Sequence, residues 1–144
     1  MIESEKVNKI LYGGDYNPEQ WPEEVWAQDM RLLKEAHIDI VTLNVFSWAL
    51  LQPAEDLYDF SMLDKIMKLV KENGMKVCLA TSTAAHPAWM ARKYPDILRT
   101  EKNGMKRKFG SRHNSCPNSQ SYRRFAALLV EKLAKRYKDD ENIV

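Results

Sequence analysis

Apolar residues change their spacing several times along the chain, and each change marks an element. Val25, Trp26, Met30, Leu33 and Ala36 recur at helical spacing and leave Gln28, Arg31, Lys34 and Glu35 on the opposite face. A helix is therefore predicted from Trp21-Pro22-Glu23-Glu24 to about His37, with proline and acids in its first turn and a cation at its other end, where the helix dipole favours each. From Ile38 to Phe46 the helical spacing gives way to a β-branched run that is largely apolar on both faces, as a parallel strand covered on both sides requires. Ser61-Met62-Leu63-Asp64 resembles a capping box with Asp in the usual Glu place, and Leu63, Ile66, Met67 and Val70 continue an apolar stripe to a stop at Asn73-Gly74. Lys76 to Thr81 is a third strand of the same buried kind. Phe125, Leu129, Leu133 and Tyr137 mark a further long helix beginning near Ser119 or Ser121. Lys9 to Tyr12, ahead of a turn on Gly13-Gly14, reads as the first strand, and Glu141 to Val144 as the opening residues of a fourth.

Strands alternating with long helices demand parallel pairing through right-handed crossovers, which makes the fold class α/β. An open dinucleotide-binding sheet carries a glycine-rich phosphate turn leading straight into a helix, and Gly13-Gly14-Asp15-Tyr16-Asn17-Pro18 has neither that spacing nor that helix. A barrel is favoured instead. Because a closed (β/α)8 TIM barrel needs roughly 200 residues or more, residues 1–144 are expected to be one fragment of such a domain. It would hold the first three β/α units plus the start of strand 4.

Composition narrows the partners. The 144 residues are 44% hydrophobic and 29% charged, as in a soluble globular protein. Lysine and arginine number 22 against 20 acids, and a net charge of +2 gives no global field for nucleic acid or an anionic membrane, so neither partner is expected. The N-terminal segment lacks the basic start and apolar core of a secretion signal, and no apolar run is long enough to span a bilayer, so a cytoplasmic location is expected. Cys78 stands in an apolar run and Cys116 in a polar loop, which implies no disulfide framework.

In a barrel the chemistry sits on the loops that follow the strands. The first such loop carries Asp15, Tyr16, Asn17, Glu19, Gln20 and Trp21; the second carries Asn44, Phe46, Ser47, Trp48, Gln52, Glu55 and Asp56. The third, from Thr81 through Cys116, is too long for a mere connector. Aromatics beside hydrogen-bonding groups suit a sugar, whose ring has apolar faces and a rim of hydroxyls. Taken singly, Trp21, Trp48 and Trp89 are simplest as core anchors; only their joint place on these loops favours the sugar. Glycoside hydrolysis needs two facing carboxylates, roughly 5 Å apart for retention, and no pair here commands that role. Asp15 reads as a turn former, and Glu23, Glu24, Glu55 and Asp56 as helix-start or loop charges. Among the histidines, His86 and His113 stand where a ligand can pass. Cys116 could serve a soft metal only with ligands from elsewhere, and Lys102 through Arg112 is simplest as a solvated basic hairpin.

Tyr12-Gly13-Gly14-Asp15-Tyr16-Asn17-Pro18-Glu19-Gln20-Trp21 resembles the N-terminal signature of the family 42 glycoside hydrolases, the β-galactosidases. Further likenesses follow in order: Val45-Phe46-Ser47-Trp48-Ala49; Tyr58-Asp59-Phe60 with Leu63-Asp64; His86-Pro87-Ala88-Trp89-Met90; Lys93-Tyr94-Pro95; and Phe109-Gly110-Ser111-Arg112-His113 with Cys116-Pro117. The resemblance implies a retaining hydrolase that removes terminal β-linked galactose through a covalent sugar-enzyme intermediate, using glutamates after the fourth and seventh strands. Both would lie beyond Val144, so the fragment alone is expected to be inactive. The resemblance assigns Arg112 to hydrogen bonding with galactose and makes Cys116 the first cysteine of a zinc site present in some members. It also implies a homotrimer, which is common in the family, and no cofactor required for the reaction. Gln52 and Asp56-Leu57 depart from the family's Leu-Glu-Pro and Glu-Gly, and Thr81-Ser82-Thr83 from its Thr-Pro-Thr. The competing readings are a non-enzymatic half-barrel module for assembly or sugar binding, and a barrel enzyme of the same clan acting on another sugar.

Overall fold

The second and third strands form inside the apolar runs that predict them, each shorter than its run, and the first lies after its run. The computed structural model describes Val7 and residues 9–144; most of the N-terminal segment read above for a secretion signal, residues 1–6 and 8, lies outside the described residues. The strands are β1 (Gly13–Asp15), β2 (Ile40–Leu43) and β3 (Lys76–Leu79). The helices are α1 (Trp26–Glu35), α2 (Trp48–Leu51), α3 (Ser61–Glu72), α4 (Ala88–Lys93) and α5 (Gln120–Tyr137). No helix among the described residues is long and apolar enough to cross a membrane. The chain divides into two compact units, one of Met1–Asn44, Ser61–Ala80 and Asp139–Val144, the other of Val45–Phe60 and Thr81–Lys138.

In the first unit the strands pair in parallel in the order β1-β2-β3. The register sets Gly13 beside Ile40 and Lys76, and Asp15 beside Thr42 and Cys78. A fourth strand begins as predicted: Val77 bridges to Ile143, its N–H donates to the Asn142 carbonyl at 2.9 Å, and its own carbonyl accepts from Val144 at 3.1 Å. Strands laid side by side in chain order, with no reversal, follow the winding of a barrel and not of a doubly wound sheet.

Two strand expectations are corrected. β1 lies on the glycines and not on Lys9 to Tyr12, and a Cβ at Gly13 would stand 1.7 Å from the Ile40 carbonyl oxygen. Glycine is what lets the two backbones come so close. Burial also falls on one face alone: Val41, Leu43 and Val77 are buried, whereas Thr42 is half-buried and Cys78 and Asp15 are exposed. On the helices, α1 buries Trp26 and Met30, and α3 buries Leu63, Ile66, Met67 and Val70. Helix α1 closes with His37 at φ 56°, its N–H bonded to Lys34, in a position usually filled by glycine; α3 closes with Gly74 at φ 76°.

The second unit is organised by α5, whose Phe125, Leu129, Leu133 and Tyr137 are all buried as the stripe predicts. Its start is settled at Ser119, whose hydroxyl accepts from the Tyr122 N–H at 3.1 Å and donates to Asp96 at 2.5 Å. Trp89 packs edge-on against Phe125, with ring centroids 5.3 Å apart. The hairpin expected over Lys102 to Arg112 lies earlier, with Thr100 bridged to Lys106 and Gly104 at φ 81° in its turn; residues 102–112 are exposed as expected.

Candidate functional site

The second unit holds an open pocket of about 500 Å³, lined by Phe46, Ala49 and residues 85–88 and 109–112. Arg112 is the only cation on its wall, with its guanidinium carbon 5.0 Å from the centre of the Phe46 ring. Five N–H donors in a rigid plane suit neighbouring sugar hydroxyls, and the Arg112 side chain makes no hydrogen bond or ion pair with the described residues.

The backbone just after Arg112 is firmly held. His113, at φ 60°, donates its N–H to Ala84 O at 2.9 Å, and the Cys116 N–H donates to Ile97 O at 2.7 Å. Asn114 is buried; its amide donates to Lys108 O at 2.8 Å and its carbonyl oxygen accepts from Arg107 at 3.2 Å. Ser115 Oγ lies 2.7 Å from Nδ1 of His86. His86 is 5% exposed, burial holds its pKa below the usual imidazole value, and its Nε2 has no hydrogen-bond partner. A neutral ring that ties Ser115 in place is the consequence.

The carboxylates fall outside this wall. Glu23 pairs with Lys65 at 2.7 Å. Glu55 takes hydrogen bonds from Lys93 and from Tyr94 Oη, which hold its pKa below the usual carboxylate range, and Arg124 lies 3.6 Å away. Glu24, Asp56 and Asp15 are exposed, Asp15 at the end of β1. No carboxylate stands on the pocket wall.

The tryptophans divide. Trp48 is fully buried and Trp89 half-buried, so both are core anchors of the second unit, while Trp21, in the first, is 58% exposed. The aromatics on the pocket wall are Phe46 and Phe109 instead. Phe109 stands in an otherwise polar loop, which is a sequence signal, whereas Phe46 stands among the apolar residues Val45, Trp48 and Ala49. His113 is exposed and contributes its backbone, and His37 belongs to the end of α1. Cys116 is a half-buried free thiol. Among the described residues no three His, Cys, Asp or Glu gather to hold a metal, so this chain's own residues do not fit a zinc site.

The family model described as β-galactosidase matches residues 15–144. The β-galactosidase BgaP of Planococcus sp. (strain L4) is 61% identical over 137 residues, covering 94% of this chain and 20% of that protein. The β-galactosidase LacZ of Heyndrickxia coagulans is 57% identical over 139 residues, 96% of this chain and 21% of the relative. The crystal structure of a β-galactosidase from Bacillus circulans sp. alkalophilus superposes with a TM-score of 0.94 at 58% identity, over 97% of this chain and 21% of that one. The chain thus spans about a fifth of the relatives it matches.

Proposed function

We propose a function from one premise: the chain belongs to glycoside hydrolase family 42, the β-galactosidases. The protein that carries it hydrolyses terminal β-D-galactose from β-D-galactosides with retention, through a galactosyl-enzyme intermediate. Within that protein these residues form the opening β/α units of the catalytic barrel and supply part of the sugar-binding wall. Arg112 donates to galactose hydroxyls there. The acid/base and nucleophile are glutamates on the loops after the fourth and seventh strands, outside these 144 residues, and the chain by itself is inactive.

The observation that carries this reading is Arg112, unpaired on the wall of a pocket that lacks a carboxylate. Hydrolysis of a chromogenic β-galactoside tests it. The complete protein turns the substrate over and Arg112→Ala weakens its binding, while the 144-residue chain gives no turnover; clear turnover by that chain, lost in Arg112→Ala, would overturn the division of labour. A cytoplasmic, homotrimeric enzyme that uses no cofactor in catalysis completes the proposal, and sedimentation of the complete protein checks its assembly. Any structural zinc would draw all but one of its ligands from residues outside this chain.

A further inference from the structure

We propose that Phe46 is a positioning residue for Arg112: its ring face fixes the plane in which the guanidinium meets the sugar. The inference rests on the reading above that Arg112 binds galactose.

The two residues are held very differently. Phe46 is 42% exposed, but it stands on a rigid base, since Val45, Ser47 and Trp48 beside it are all buried. The Ser47 carbonyl accepts from both Leu50 and Leu51 at 2.9 Å, which fixes the turn into α2. The backbone next to Arg112 is held too, by the His113 N–H on Ala84 O, but its side chain lies in an exposed stretch, residues 102–113, and no hydrogen bond or ion pair to a described residue orients it. Its guanidinium instead lies over the Phe46 ring, with Cζ 5.0 Å from the centroid.

A guanidinium stacked on an aromatic face keeps its in-plane N–H donors directed outward, free for a ligand, so the ring can orient the group without consuming a donor. An acid partner would orient it too, but would occupy the donors the sugar needs. That explains a large exposed aromatic on a wall that carries no carboxylate. The competing role, in which Phe46 stacks on the sugar itself, predicts a loss that does not depend on Arg112.

The experiment is a double-mutant cycle in the complete enzyme, read as kcat and KM on a chromogenic β-galactoside. Phe46→Leu raises KM about 5-fold, in line with loss of an exposed cation–π contact, with a smaller change in kcat and an unchanged Tm. Phe46→Trp, which offers a better face, keeps KM near the parent value. Arg112→Ala loses more, and adding Phe46→Leu to it costs nothing further. Additive losses, or parent-like KM in Phe46→Leu beside a weakened Arg112→Ala, would overturn the proposal while leaving Arg112 as a sugar ligand. Full affinity in Arg112→Ala would remove the galactose assignment itself, and the proposal with it.

Discussion

Gln52 is fully buried, and both ends of its amide are used. Its Oε1 accepts from Trp48 Nε1 at 2.9 Å, its Nε2 donates to Glu55 O at 2.8 Å, and its backbone carbonyl accepts from Trp89 Nε1 at 2.8 Å. A carboxylate in this place can accept from Trp48 but, when ionised, cannot donate to Glu55 O; the departure from the family's glutamate therefore matches this hydrogen-bond pattern. Gln52→Ala strands the buried Trp48 N–H and the part-buried Glu55 carbonyl and should cost about 2–4 kcal/mol in urea unfolding, with no effect on which sugar is bound. His86 gives a prediction in pH. Its folded pKa is lowered by burial, so the unfolded chain binds more protons just below the ordinary imidazole value, about 6.5. Stability is then complete above that value and falls as pH drops below it. His86→Asn keeps a polar group near Ser115 and should flatten the decline in Tm below about pH 6.5; an equally steep decline would show that another group controls it. Arg112 could be found from its motif because neighbouring residues identify it. Phe46 was legible as a loop residue but its pairing with Arg112 was not, because no local pattern reports a contact between residues so far apart in the chain.

At the scale of elements, the helices were the most legible part, because a 3.6-residue stripe is a property of one segment alone. Phe125, Leu129, Leu133 and Tyr137 of α5 are all buried, and Ser119 caps the helix. Ser119→Ala removes both the cap and the partner of Asp96, whose pKa the hydroxyl holds below its usual range; a loss of about 1–2 kcal/mol is expected. The strands were less legible because a ladder's ends are set by its neighbours. Nothing in Gly13-Gly14 announces that β2 passes so near that a Cβ at Gly13 would overlap the Ile40 carbonyl, and glycines read most simply as a turn. Gly13→Ala must push β1 away from β2. A loss of about 1–3 kcal/mol is expected, and Gly14→Ala, with open space around its Cβ, should be much milder in the same thermal melt.

At the scale of the whole molecule, the strands were expected to be covered on both faces, and the sheet in hand is covered on one. Side chains paired in register across a parallel sheet share a face, so Asp15, Thr42 and Cys78 form one row, exposed or half-buried. In a closed barrel one face of every strand points inward and is packed in layers by side chains from other strands. The relatives are about five times longer than this chain, and the row Asp15-Thr42-Cys78 is expected to be the inward face, covered by the remaining strands of the complete barrel. The two-sided covering expected of the apolar runs is thus not met within these residues, and Cys78 is the exposed position at which it can be probed. A thiol reagent tests this directly. With Cys116 replaced by serine, Cys78 in the 144-residue chain should react as an exposed thiol, provided circular dichroism shows its helices intact. In the complete enzyme, any other cysteines having been replaced, the same thiol should react on the order of 100-fold more slowly, because reaching it requires an opening costing at least about 2.7 kcal/mol. Equal rates in the two proteins would mean that this face of the sheet is not the barrel interior.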